Sequence, residues 1–397
     1  MRIKDVLRMY SFRLERRPPS SSLHAATLSL AILALALILG LASASSLFIF
    51  KGLNPATVLY KILIGAFGSK FALMETLAKA VPLTLVGVGL AVAFRGRFWN
   101  IGAEGQILCG AVAASGVALF VSPYLSDRLV LPTMLLAGFA AGAFWGLIPA
   151  WLRIRFGVNE VVTTLMLNYV AAELVQYLVY GPWKGKSQMG FPYSEEFSPA
   201  AVLPTFYGTR VAWPMLVLAL VAAFVAWFLT TRTRWGFDTR VVGENPEAAR
   251  YAGISLGRVA AGLMLLSGGL AGLAGVGEVS CIHQHLTTPV AISSGYGNTA
   301  IIVALLGRLH PLGVIPAAFF FGGLLVGGDV LQTSLGMPFA SVNLFTSVIL
   351  LILISGDVFL EYRLRIHRNR PSPGSAAWQP AAQSTPEPSS PGSDRIR

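Results

Sequence analysis

The chain has 397 residues, of which 54% are hydrophobic and only 12% charged, with a formal net charge of +12. Soluble domains carry roughly 25% charged residues, so this composition excludes an ordinary soluble enzyme, a DNA-binding domain and, with two cysteines, a disulfide scaffold. A mean hydropathy of +0.65 and many apolar runs long enough to cross a bilayer predict an all-α polytopic membrane helix bundle.

The chain opens on a basic arm, residues 1–22, that ends in Pro18-Pro19 and a serine run. The apolar stretch 24–49 reads as a first span; Ala42-Ser43-Ala44 resembles a signal cleavage site, but the run exceeds the roughly 7–15 residues of a signal core and reads as retained. Residues 51–70 predict an external amphipathic segment, followed by spans at 72–94, 101–121, 130–152 and 161–180. An external loop rich in Pro, Gly and aromatics covers 181–209, and further spans follow at 211–231, 257–279, 292–306 (short), 312–331 and 342–360. These ten spans, an even number, put both termini on one side and make 23–362 a transmembrane domain. From Pro371 onward Pro, Ser, Ala and Gln dominate and cannot bury a core, so 363–397 is expected to be a disordered tail.

Of the 30 Lys and Arg, 22 fall in segments that this topology puts on the side of the termini, and Lys51, Lys61, Lys70, Arg128, Lys184, Lys186 and Arg210 flank the opposite ends. The positive-inside bias makes the basic side cytoplasmic, so the net charge records topology and not a nucleic-acid partner. Gly138, Gly142 and Gly146, Gly268 and Gly272, and Gly323 and Gly327 each recur every fourth residue, spacing that lets helix backbones approach closely in lipid. One echo is visible: Val92–Gly102 matches Val303–Gly313 at five of eleven positions, each where a span is expected to meet the cytoplasm.

Polar groups inside spans are costly and hence functional candidates. The richest run is Asn100-Ile-Gly-Ala-Glu104-Gly-Gln106, where two glycines permit a broken helix. It suits the wall of a polar-solute pathway; equally, Glu104 suits a helix N-terminus, where its charge complements the macrodipole. The next span carries Asn168, Tyr169, Glu173, Gln176 and Tyr177, which at ~100° per residue share one face, a pathway wall or a structural hydrogen-bond network. Glu75 and Lys79, four apart, are expected to pair with each other. His283, His285 and Glu278 match metal-ligand spacing poorly, and Asp329 and Asp357 sit near span ends where solvation is expected. Gly181–Ser187 resembles a phosphate loop but has three residues between its glycines where the motif needs about four. If this chain pumps, the ATP chemistry belongs to another subunit.

The longest internal basic-side segment runs from Arg232 to Gly257. Within it Asn245 as N-cap, Pro246 at the first helical position and Glu247 in the first turn predict a helix of about two turns that Gly253 stops. Its surface is available to a cytosolic partner, or to the interface.

Three runs together carry a resemblance: Asn100–Gln106, Asn159-Glu-Val-Val-Thr-Thr-Leu-Met-Leu-Asn168-Tyr169, and Gly243-Glu-Asn-Pro-Glu-Ala-Ala-Arg-Tyr-Ala-Gly253-Ile254. In order over about 24–361, they closely resemble permease subunits of nucleoside and simple-sugar ABC importers, in the larger group of ribose-type and branched-chain amino-acid permeases. The resemblance implies a type II importer permease of about ten helices in the bacterial inner membrane, with both termini cytoplasmic. It implies as partners a second related permease, two ABC ATPases or one fused tandem ATPase, and an extracytoplasmic binding protein. ATP and magnesium would sit on the ATPase, with no cofactor and no catalytic residue in this chain. Gly243, Asn245, Pro246, Glu247, Ala248, Ala249 and Gly253 would form the coupling helix, and Asn100, Glu104, Gln106, Asn168, Tyr169, Glu173 and Gln176 a substrate pathway. The alternatives are a family member carrying ribose or branched-chain amino acids, or a stand-alone ion-coupled secondary transporter.

Overall fold

The computed structural model describes residues 52–338 continuously, the strands β1 (Tyr10–Arg16) and β2 (Tyr362–Arg368), and single helical positions within 35–49 and 344–355. The spans expected at 24–49 and 342–360, Asp357 and the chain from 369 onward lie outside the continuous part. β1 and β2 pair antiparallel, Tyr10 opposite Arg368 and Arg16 opposite Tyr362. This ribbon joins the basic arm to residues that composition alone placed in the tail. Beyond it and one isolated bridge, Thr205 to Ala212, the regular structure of the described residues is helical.

Within 52–338 all eight expected spans are present as apolar helices, with ends within a few residues of the sequence reading. The short helix α1 (Pro55–Phe67) precedes them; Asn54 caps it, its Oδ1 accepting from the Ala56 N–H at 2.9 Å. α1 buries Val58, Ile62 and Ala66 and presses on Gly323 and Gly327 of α12 (Val314–Leu335), where a Cβ would meet Phe67 and Ile62. One glycine pair of the sequence reading is thereby used by an amphipathic helix and not by a second span.

α2 (Lys70–Arg95) is the central helix: from Ala80 to Phe94 every residue is buried, which explains why this stretch is apolar on all sides. α3 (Ala103–Gly116) follows, continued by a π turn over Val117–Val121. Next come α4 (Asp127–Phe156), α5 (Glu160–Tyr180) and α6 (Trp213–Arg232). Two helices then lie at the basic end, α7 (Arg234–Glu244) and α8 (Pro246–Tyr251). α9 (Leu256–Gly277) returns and ends in a π turn, Glu278–His283. The span 289–306 is broken into α10 (Pro289–Ser293) and α11 (Tyr296–Leu306), with Ser294 at φ 44° and Gly295 at φ 73° between them.

The remaining glycines set the core. Gly142 of α4 and Gly268 of α9 each face the other's carbonyl so closely that a Cβ on either would collide with it. Gly272 meets Gly138 and Gly142 in the same way, while Gly110 of α3 packs on Gly272. Lipid offers no hydrophobic drive between helices, so contact of this intimacy must supply the packing energy.

The sequence echo corresponds to one repeated turn. α2 stops with Arg97 at φ 51° and the Phe98 N–H donating to the Ala93 carbonyl at 3.1 Å; α11 stops with Arg308 at φ 54° and the Leu309 N–H donating to Ala304 at 2.9 Å. In both, Gly96 and Gly307 end the helix and the following arginine takes the left-handed position.

Candidate functional site

The turn between α2 and α3 is held by amide chemistry. Asn100 and Gln106, 0% and 1% exposed, bond each other reciprocally: Asn100 Nδ2 donates to Gln106 Oε1 at 2.9 Å, and Gln106 Nε2 donates to Asn100 Oδ1 at 3.1 Å. Asn100 Nδ2 also donates to the Ser267 hydroxyl at 3.0 Å, and its Oδ1 accepts from the Gly102 N–H at 3.0 Å. Asn168 reaches across from α5, its Oδ1 accepting from the Gly105 N–H at 2.8 Å and its Nδ2 donating to the Ile101 carbonyl at 2.9 Å. The Ile101 N–H donates to Thr164 Oγ1 at 3.2 Å. Backbone that leaves a helix inside a membrane must find such partners, and here side chains of α3, α5 and α9 supply them. Asn100→Ala strips partners from Gln106 and Ser267 together, a cost of about 3 kcal/mol. An apparent melting temperature at least about 5 °C lower in detergent is expected.

Glu104 lies in the first turn of α3 and also at the start of α11, where it accepts from the Gly297 N–H at 3.2 Å and from Asn298 Nδ2 at 3.4 Å. One carboxylate therefore serves two helix N-termini, which favours its charge at both. α11 is 11 residues long, or about 16 Å, so this contact lies well inside the bundle and not at the basic rim.

Glu104 is half-buried, and beside it Asn298 is exposed. α5 adds Tyr169, Glu173 and Tyr177, all exposed, with Gln176 Nε2 donating to Glu173 Oε1 at 3.2 Å. The exposed large side chains of α6 are Trp213, Val217, Leu220, Val221, Phe224, Val225 and Phe228, and those of α4 include Leu136 and Phe144. α5 also exposes Val162, Met166, Val170 and Leu174, so its open surface is mixed; the polar groups Glu104, Tyr169, Glu173, Gln176 and Asn298 set the α3, α5 and α11 side apart from that of α6. The structure divides the polar residues read from the sequence: Asn100, Gln106 and Asn168 are consumed in the turn, whereas Glu104, Tyr169, Glu173 and Gln176 reach the open face. Asn298 was missed; the run Ser293-Ser294-Gly295, which interrupts a span, was its signal.

At the end opposite α7 and α8, Lys79 pairs with Asp329 of α12, and Glu75 pairs with Arg210 at 3.7 Å. The expected Glu75–Lys79 pair does not form, because neighbouring elements offer each residue a partner between helices. With Glu278 (6% exposed) and His283, these residues line a chamber of about 190 Å³. The loop 181–209 covers this end: Ser194 N–H donates to the Leu286 carbonyl at 2.9 Å and Phe197 N–H to that of Gln284 at 2.8 Å. Its phosphate-loop look-alike is occupied by Glu195, which accepts from the Lys186 N–H at 2.6 Å and from the Ser187 hydroxyl and N–H. The Ser187 hydrogen bonds hold the Glu195 carboxyl below the usual range.

At the basic end, α8 forms as its residues predict. Asn245 Oδ1 accepts from the N–H groups of Glu247 and Ala248, both at 3.1 Å, Pro246 opens the helix, and Gly253 follows it at φ 74°. Ala249 is 0% exposed and anchors α8, while Asn245, Pro246, Glu247, Ala248 and Gly253 face outward. Gly243 seats α7 on the Arg95 carbonyl, where a Cβ would collide. Tyr251, 94% exposed, projects from α8 and was not singled out from the sequence.

A family model described as branched-chain amino acid transport system / permease component matches residues 72–355. A glucose ABC transporter permease of Haloferax volcanii is 40% identical over 327 residues, 80% of this chain and 85% of that protein. A guanosine ABC transporter permease of Bacillus subtilis is 33% identical over 333 residues, covering 81% and 92%. A nucleoside ABC transporter permease of Lactococcus lactis is 30% identical over 327 residues, covering 80% and 88%.

Proposed function

The chain belongs to the family of branched-chain amino acid transport system permease components, and from that premise we propose that it carries nucleosides or related simple sugars as the membrane-spanning subunit of an ABC importer. The polar groups on the α3, α5 and α11 side carry this reading: a carboxylate and tyrosines within apolar spans are too costly to leave against lipid. In the complex this face meets the second permease and lines the pathway, with Glu104, Tyr169, Glu173, Gln176 and Asn298 offering hydrogen bonds to cargo hydroxyls. Asn100, Gln106 and Asn168 hold the backbone that carries that wall.

The subunit does no bond chemistry. ATP and magnesium belong to the ATPase partners, two subunits or one fused pair, and an extracytoplasmic binding protein delivers cargo. α8 docks in an ATPase groove, so that closure of the ATPases tilts it and, through Ala249 and the Gly253 turn, moves α9 against α4. The arginine-rich end is cytoplasmic in the cell membrane, and the β1–β2 ribbon, which pairs the two ends of the chain, supports placing both termini on one side.

Uptake of a labelled purine nucleoside by cells with and without the chain tests the cargo, with glucose, ribose and leucine as competitors. ATP-dependent uptake that is lost with the chain and resists all three supports the nucleoside. Loss of labelled glucose, ribose or leucine import instead moves the cargo. Glu173→Leu tests the wall: uptake is expected to fall about tenfold, the loss of one charge-assisted hydrogen bond, at unchanged membrane level. Unaltered uptake would put this face in lipid.

A further inference from the structure

A cavity of about 620 Å³ opens at the basic end between the close of α4, the α2–α3 turn, α8 and the start of α9. Its lining combines two chemistries. Arg97, Arg153 and Arg250 supply positive charge, and Ile154, Leu256 and Leu263 supply an apolar wall. Among the described residues no carboxylate lines it. Arg153 pairs with Glu160 at 2.6 Å and lies over the Phe98 ring at 4.8 Å, whereas Arg97 and Arg250 are exposed and have no ion pair among the described residues. Arg97 sits at φ 51°, a conformation costly for a non-glycine residue.

On α4 the lining residues Arg153 and Ile154 lie in sequence between exposed Trp151 and Phe156, whose rings meet edge-on at 5.4 Å. Aromatic residues at a span end mark the headgroup level of a bilayer. A cavity with unpaired arginines at that level and an apolar wall running into the span matches a molecule with an anionic head and a hydrocarbon body. We propose that it is a binding site for an anionic phospholipid, the phosphate on Arg97, Arg250 and the free edge of Arg153, the acyl chain along Ile154, Leu256 and Leu263. Such a lipid touches Pro246, Arg250 and Gly253, so it braces α8 against the bundle. The site rests on the chain's place in a bilayer and is independent of the transported solute.

The full-length chain, purified in detergent, is loaded with phosphatidylglycerol or phosphatidylcholine and its retained lipid read by native mass spectrometry. The expected result is retention of phosphatidylglycerol over phosphatidylcholine, about 30-fold weaker in R97Q/R250Q, the worth of two arginines at a lipid surface. R97K/R250K is expected to restore most of the retention, which separates loss of charge from loss of fold. Equal retention of both lipids, or undiminished phosphatidylglycerol on R97Q/R250Q, overturns the proposal. Displacement by millimolar inorganic phosphate alone reassigns the site to a free anion and overturns the lipid. In the assembled transporter, cross-linking of the R97C variant to an acidic loop of the ATPase, with phosphatidylglycerol excluded, overturns it in favour of protein docking.

Discussion

Gly272→Val is expected to leave little folded protein in the membrane. Gly272 is enclosed by backbone on two sides: a Cβ would strike the Gly138 carbonyl and press on the Gly142 Cα, while Gly110 packs against its own carbonyl from α3. A side chain tip can swing away from an intruding methyl, but three helix backbones cannot. Overpacking of an ordinary core costs about 1–3 kcal/mol; here the helices must separate, so at least about 3 kcal/mol of helix–helix packing is forfeited. The check is the amount of full-length protein in the membrane fraction and its elution in detergent. Leu136→Val, at an exposed position of α4, is the control for valine itself. A wild-type yield and a single sharp peak from Gly272→Val would refute the glycine contact as the centre of the bundle.

Gly253→Pro is expected to abolish uptake while the protein still reaches the membrane. Gly253 sits at φ 74°, and proline is locked near about −65°. Its N–H also donates to the Arg250 carbonyl at 3.0 Å, a bond proline lacks, and the next residue closes the turn through Ile254 N–H to Ala249 at 2.9 Å. The turn that fixes the angle between α8 and α9 is therefore lost. α8 lies outside the spans and only Ala249 anchors it, so insertion and bundle packing are expected to survive. Gly253→Ala pays only the left-handed cost of about 1–2 kcal/mol and is expected to retain partial uptake. Membrane level, ATPase co-purification and uptake of the three forms are measured together. Full uptake by Gly253→Pro would end the assignment of α8 as the coupling helix.

The two positions differ in how they were found. The fourfold spacing of Gly138, Gly142, Gly146, Gly268 and Gly272 announces close packing in any lipid-embedded helix, though not which helix is the partner. Asn245, Pro246 and Gly253 describe their helix almost completely, because capping, proline at the first turn and a left-handed stop are local chemistry. Glu75 and Lys79 mark the limit of local reasoning: four apart on one helix, they still choose Asp329 and Arg210, which only the packing brings near.

What this chain's sequence determined by itself is whatever depends on neighbours within a few turns: the number and extent of the interior spans, the basic end, the break after α2, and α8. Hydropathy, charge and capping act over such distances, and lipid enforces them strictly because unsatisfied backbone is so costly there. The tertiary structure alone decided which polar residues are spent and which are offered. Asn100 and Gln106 look like pathway residues on the chain, yet they turn inward to each other and to Ser267, 161 residues beyond Gln106 in sequence. Asn298, unremarkable in a row of small residues, comes to stand beside Glu104 because the span 289–306 breaks where α3 begins. A hydrogen bond needs a partner in space, and for groups at membrane depth that partner comes from another helix.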